Sequence, residues 1–183
     1  EAGKAVDVTR YGQGGTIGGL VAARDGAIAT ATTRLDQLAF DIATAYNAAH
    51  GGGVDLDGVA GTVLFDVPPT PAGAAQSMRL SATVAGQPRK IAAALDAAAR
   101  PGDNRNALAL QALATTLLAS GGTRTANEAF ADAGAEIGTS VQRASSDRRH
   151  TDDARVQVES LRASISGVSI DEELMNLTRY QRA

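Results

Sequence analysis

The chain has no cysteine, which excludes disulfides and thiolate metal sites and leaves the compartment open. Aromatic residues are equally scarce. They make up 3% of the 183 residues, against 44% hydrophobic residues in all, so alanine carries much of the apolar count. Alanine has the highest helix propensity but contributes little buried area. Such a composition suits long, slim, closely packed helices better than a thick core. The net charge of −3 is mild, and no clustered Lys and Arg surface of the kind that binds phosphates stands out, so nucleic acid is not an expected partner. No apolar run has the length needed to cross a bilayer, so no membrane partner is expected either. The opening residues, EAGKAVDVTRYG, lack the apolar stretch of a signal peptide.

What is present is seven-residue spacing. Val21, Ile28, Leu35, Ile42 and Ala49 form one line, and Ile17, Ala31, Leu38 and Ala45 a second, broken at Arg24. This predicts a long helix over residues 16–50 that packs against other long helices. Gly51-Gly52-Gly53 stands where a glycine stop belongs. Val63, Phe65 and Val67, then Met78, Leu80, Ala82 and Val84, alternate with their neighbours. They predict a small antiparallel ribbon around the loop PPTPAGAAQS. Pro88 suits the start of a short helix with Ile91, Leu95 and Ala98 on its apolar side, ended by Pro101-Gly102. Asp103 is placed to cap a helix over 104–119 whose face holds Ala107, Leu110, Leu113, Ala114 and Leu117. Thr125 and Glu128 form a capping box. After it, Phe130, Ile137, Ala144, Thr151, Val158 and Ile165 recur at sevens, supported by Ala133, Ala154 and Leu161. The polar stretch ASSDRRHTDD interrupts this seam, and one continuous helix over 125–165 is the favoured reading. The fold class expected is mainly α: long heptad-patterned helices in an elongated bundle with a small antiparallel β-ribbon insertion. Residues 1–15 read as a flexible lead-in, 16–50 and 104–183 as a helical rod domain, and 51–103 as the insertion.

Catalytic and ligand motifs fail on spacing. His50 beside the glycines reads as a surface or C-terminal capping residue, and His150 as solvent-exposed. Neither has a partner at metal or acid–base spacing. Asp55-Leu56-Asp57-Gly58 faintly resembles a calcium loop, but Val59 and Asp66 stand where oxygen ligands are required. A turn held by its Asp side chains is the expectation. GQGGTIGG, residues 12–19, lacks both dinucleotide spacing and a P-loop lysine, so it reads as a flexible joint. Arg148-Arg149 is neutralised by Asp147, Asp152 and Asp153. No enzyme activity, cofactor or metal is expected.

The last eighteen residues, SGVSIDEELMNLTRYQRA, read as a well-started helix. Ser169 and Glu172 form a second capping box, and Asp171, Glu172 and Glu173 place negative charge at the positive end of the dipole. Ile170, Leu174, Leu177 and Gln181 share a face, with Tyr180 at its edge. No glycine or proline follows, so the expectation is that this helix belongs to something longer. Ile170, Leu174, Leu177 and Tyr180, with Val158, Leu161 and Ile165 of the preceding helix, are the expected subunit-packing residues.

Together these stretches resemble a known family. The order Arg24-Asp25, LDQLA (35–39), Asn47-x-x-His50, DLDG (55–58), PRKIAAAL (88–95) and GDNRNALAL (102–110) is similar to that of the flagellar hook-associated protein FlgK family. The terminal SGVSIDEELMNLTRYQRA resembles a signature shared more widely with hook and rod proteins, from which Thr178 departs by being polar. The resemblance spans roughly residues 14–183. It implies a structural subunit of the bacterial flagellum at the hook–filament junction, exported through the flagellar channel and located outside the cell. The implied partners are the hook protein, the second junction protein, further copies of itself in a helical ring, and an export chaperone. The alternatives are another axial flagellar protein or a helical periplasmic sensory or ligand-binding module. The ribbon-bearing insertion at 51–103 disfavours the sensory module.

Overall fold

The computed structural model describes residues 15–166 and 170–182, without the side chains of Ser166 and residues 170–173. It is mainly α with one small ribbon, as the composition and spacing predict. In chain order come α1 (Gly15–Ala22), a π-helical turn (Ala23–Ile28), α2 (Ala29–Gly51), β1 (Phe65–Asp66), α3 (Ala74–Ser77) and β2 (Arg79–Leu80). They are followed by α4 (Arg105–Ala112), α5 (Ala126–Ser166) and α6 (Ile170–Gln181). None of the described helices is long and apolar enough to cross a membrane. The chain divides into two compact units, residues 1–138 and 139–183.

In the first unit the core is built on α2 and is made of small residues. Leu38 and Ala43 of α2 are buried, with Ala74, Val84, Ala92, Ala94, Ala119 and Ala133. The segment after α2 folds back along it, and α2 packs against α3, α4 and β1. The helix begins at Gly15, so Gly15 to Gly19 lie inside α1 and are not the flexible joint their glycines suggested; residues 12–14 lie outside the described residues. The three-glycine stop falls where expected, yet Gly52 keeps a right-handed conformation, with φ −78° and ψ −10°. Glycine is needed one residue later for space. A Cβ on Gly53 would collide with the side chain of Asn106 and the carbonyl of Ala92.

Local pairings differ from the pattern where small residues permit close backbone approach. The ribbon pairs Phe65 with Leu80 and Asp66 with Arg79, antiparallel and only two residues long. The buried residues lie just beyond β2, at Ser81 and Val84, while Leu80 is exposed. The expected helix from Pro88 is a single 3-10 turn, Pro88–Lys90. Beyond it the chain is extended, and Ala92 and Ala94 are buried while Ile91 and Leu95 are exposed. Val54 N–H donates to Ala94 O at 2.7 Å and Ala94 N–H to Val54 O at 3.2 Å. Alanine faces inward where these two backbones pair closely, and the larger Ile91 and Leu95 face out. The 104–119 helix is also shorter: α4 ends in a 3-10 turn at Leu113–Thr115, and Leu108 and Leu117 are exposed.

The stripes expected to bury one another are largely open. Ile28 is exposed, and Phe130 and Ile137 are 65% and 44% exposed. Helix α5 meets α2 near its own start, where Arg34 Nε pairs with Glu136 at 2.7 Å and Leu38 lines a shallow cavity with Ala119 and Ala129. The capping box at that start forms as expected. Thr125 N–H donates to Glu128 Oε2 at 2.9 Å and Glu128 N–H to Thr125 Oγ1 at 3.2 Å. The Thr125 N–H, seconded by the Thr125 hydroxyl donating to Glu128 Oε2 at 3.0 Å, holds the Glu128 carboxyl below its usual range. Helix α5 then runs for 41 residues without a break at its polar middle.

Candidate functional site

Two features carry the chemistry of this chain: a polar clasp that folds residues 51–106 onto α2, and an uncovered apolar surface on α5 and α6.

The clasp starts with three side chains on one helix. Asp36 accepts N–H bonds from Gly73 at 2.8 Å and Ala75 at 2.9 Å, so a carboxylate of α2 caps the start of α3. Asn47 accepts from the N–H groups of Leu64 and Phe65 at 2.9 and 2.8 Å and donates to Phe65 O at 2.9 Å, fixing the ribbon. Tyr46 beside it packs edge-on against Phe65, with ring centres 6.1 Å apart. His50 is fully buried. Its Nε2 accepts the Ala92 N–H at 3.0 Å and its Nδ1 lies 2.7 Å from Thr62 O. An acceptor at Nε2 leaves Nδ1 as the donor, which is the neutral Nδ1–H tautomer. The surface or capping role expected for His50 is therefore corrected: it is an internal crosspiece, hidden because its partners lie 12 and 42 residues ahead.

The acidic turn forms as read from the sequence. Asp55 Oδ1 accepts from the N–H groups of Asp57 and Val59 at 2.9 and 2.8 Å. Lys90 Nζ lies 3.2 Å from Asp55 Oδ2 and 3.0 Å from Asp57 Oδ2, and Arg89 reaches Asp57 Oδ1 at 2.6 Å. The Val59 N–H, seconded by Lys90, holds the Asp55 carboxyl below its usual range, and Arg89 and Lys90 do the same for Asp57. Arg100 closes the loop by donating to Leu56 O at 2.6 Å.

Asp103 gathers the last strands of the clasp. It accepts from Arg105 Nε and from the N–H groups of Arg105, Leu95 and Asp96, at 2.9 to 3.0 Å. The Arg105 guanidinium, then these amides, push its carboxyl far below the usual range. Asn104, one residue later than the expected Asp103, occupies the cap position of α4. Asn106 is buried and donates to Ala92 O at 2.6 Å. Among the described residues, no group of three or more His, Asp or Glu side chains is arranged to hold a metal. Among the described residues, no buried side-chain nitrogen or oxygen lacks a hydrogen-bond partner.

Spacing logic missed Asp36, Asn47, Arg100 and Asn106. Two of them, Asp36 and Asn47, lie in the LDQLA and Asn47-x-x-His50 stretches of α2; Arg100 lies outside the helices and Asn106 follows polar neighbours, so neither stands out by pattern.

The expected packing residues lie on the surface. On α5, Val158, Leu161 and Ile165 are exposed, Ile165 by 86%. On α6, Leu174 and Leu177 are 54% and 57% exposed, and Tyr180 is exposed as well. Ile170 begins α6, and its side chain lies outside the described residues, as does the Ser169–Glu172 capping box. Leu174 and Leu177 share a helical face, one turn apart. The polar Thr178 donates to Leu174 O at 2.6 Å, which satisfies its hydroxyl within α6. His150 is exposed on α5, as expected.

Residues 1–65 match the family described as flagellar hook-associated protein FlgK helical domain. The flagellar hook-associated protein 1 of Escherichia coli (strain K12) is 34% identical over 93 residues, which is 51% of this chain and 17% of that relative. The chain thus spans a small part of the length of the curated protein it matches.

Proposed function

The chain belongs to the flagellar hook-associated protein FlgK family, and from that premise we propose that it serves as a structural part of the junction between hook and filament. In this reading it is exported through the flagellar channel and works outside the cell without catalysis. Its partners are the hook protein, the second junction protein and further copies of itself, with a chaperone attending export. The observation that carries the proposal is the apolar line of α6, Leu174 and Leu177, left uncovered, as are Val158, Leu161 and Ile165 of α5. A helix of 12 residues gains little stability alone. Such a line fits burial among neighbouring subunits, whose heterologous contacts build a helical assembly.

The test is Leu174→Asp or Leu177→Asp in the protein as its cells make it. Cells carrying either change are expected to make hooks without filaments and to shed flagellin into the medium. Normal filaments on those cells would sink the assembly role of α6.

A further inference from the structure

Helix α1 carries two apolar lines one residue apart, and the π turn after it decides which of them continues into α2. In an uninterrupted α-helix, Ile28, Leu35 and Leu38 would be continued backwards at intervals of seven by Val21, Arg24 and Ile17. The structure instead holds Ala23–Ile28 in a π-helical turn, closed by the Ala29 N–H donating to Arg24 O five residues back. That wider ring takes up one more residue, which turns α1 by about 100° relative to α2. The line continuous with Ile28 and Leu35 is then Leu20, Ala23 and Thr16.

Each register has a cost and a gain. The π register keeps Arg24 off the line, where Arg24 pairs with Asp25 through Nε at 2.6 Å and Nη2 at 3.0 Å. The α register recovers regular hydrogen bonding and aligns Ile17 and Val21 with Ile28 and Leu35, but sets Arg24 among apolar residues. Little else holds the turn. Residues 22–30 are exposed, and the space around Gly26 and Gly19 is open. Three glycines in α1 and one in the turn also weaken helical preference.

We infer that residues 23–28 form a two-state register joint, interconverting between the π turn and a regular α-helix and so exchanging which apolar line of α1 is presented in continuity with α2. Its use would be to fit one long helix to different neighbours without changing its sequence.

Because the chain has no native cysteine, a spin-label pair can be placed cleanly. Ala22→Cys lies on neither line and turns with α1, while Arg79→Cys sits on β2 in the same unit. A turn of about 100° moves a side-chain tip on a helix surface by up to roughly 8 Å. Pulsed electron–electron distance measurement on the full chain is expected to show two distances. Gly26→Ala, which favours regular helix, should shift the ratio of the two. Deleting Gly26 removes the extra residue and should leave one. A single distance in the unaltered turn that Gly26→Ala does not change would overturn the joint, and circular dichroism of each variant establishes that the helices remain.

Discussion

Asn47 and His50 stand three residues apart on α2 and between them fix two separate stretches of chain. Asn47 holds Leu64 and Phe65, and His50 holds Thr62 and Ala92. Gly61 explains the closeness: a Cβ there would collide with the His50 carbonyl and with the Ala92 side chain. Replacing His50 by alanine therefore removes more than a ring. It strands the Ala92 N–H inside the protein and opens a void between two backbones. A stranded buried group costs about 1–3 kcal/mol and the void adds to this, so His50→Ala is expected to destabilise the first unit by roughly 3 kcal/mol. Urea unfolding followed by exchange of the Val54 and Ala94 amides would measure this. Full protection of those amides in the variant would show that the crosspiece is dispensable. Replacing the exposed His150 by alanine should leave them unchanged.

At the scale of elements, the clasp depends on ionised carboxylates. Asp55, Asp57 and Asp103 all have carboxyls depressed below their ordinary values in the folded state. Such groups contribute stability that is fully present above the unfolded value, near pH 4. The contribution is lost as pH falls through the lower folded values. Hydrogen exchange should thus find residues 54–106 equally protected at pH 6 and 7 and increasingly open below about pH 4. Asp103→Asn should loosen them at neutral pH and make the acid dependence shallower; an unaltered acid profile would remove Asp103 from the clasp. These elements also mark what the sequence made legible. Heptad spacing located α2 and α5, the Thr125–Glu128 box located the start of α5, and the DLDG stretch located its own turn. Each of those signals is local. The extended Ile91–Leu95 segment was misread as helix because its determinants are remote: the edge at Val54, the His50 ring and the space left by Gly61. Seven-residue spacing failed differently, since the π turn changes the phase of the pattern at Arg24 and leaves the spacing itself intact.

For the whole molecule, the unusual quantity is how much large apolar surface remains open while alanine fills the core. In the second unit, Val156, Val158, Leu161, Ile165, Leu174, Met175 and Leu177 are all exposed. Exposed apolar surface on this scale marks an interaction site more often than a solvated face. Full burial of one such side chain contributes about 1.5–3 kcal/mol, and several together can offset the lost freedom of association. The chain is therefore expected to self-associate as its concentration rises, and sedimentation velocity across a dilution series would detect this. Leu161→Asp and Leu177→Asp replace burial with a charge that resists desolvation. Each should weaken association roughly ten-fold or more, because about 1.4 kcal/mol corresponds to a factor of ten. Both side chains are exposed in the single chain, so helical circular dichroism should be retained in either variant. That separates loss of association from loss of fold. A chain that sediments as a monomer at every concentration would rule out self-association through this surface.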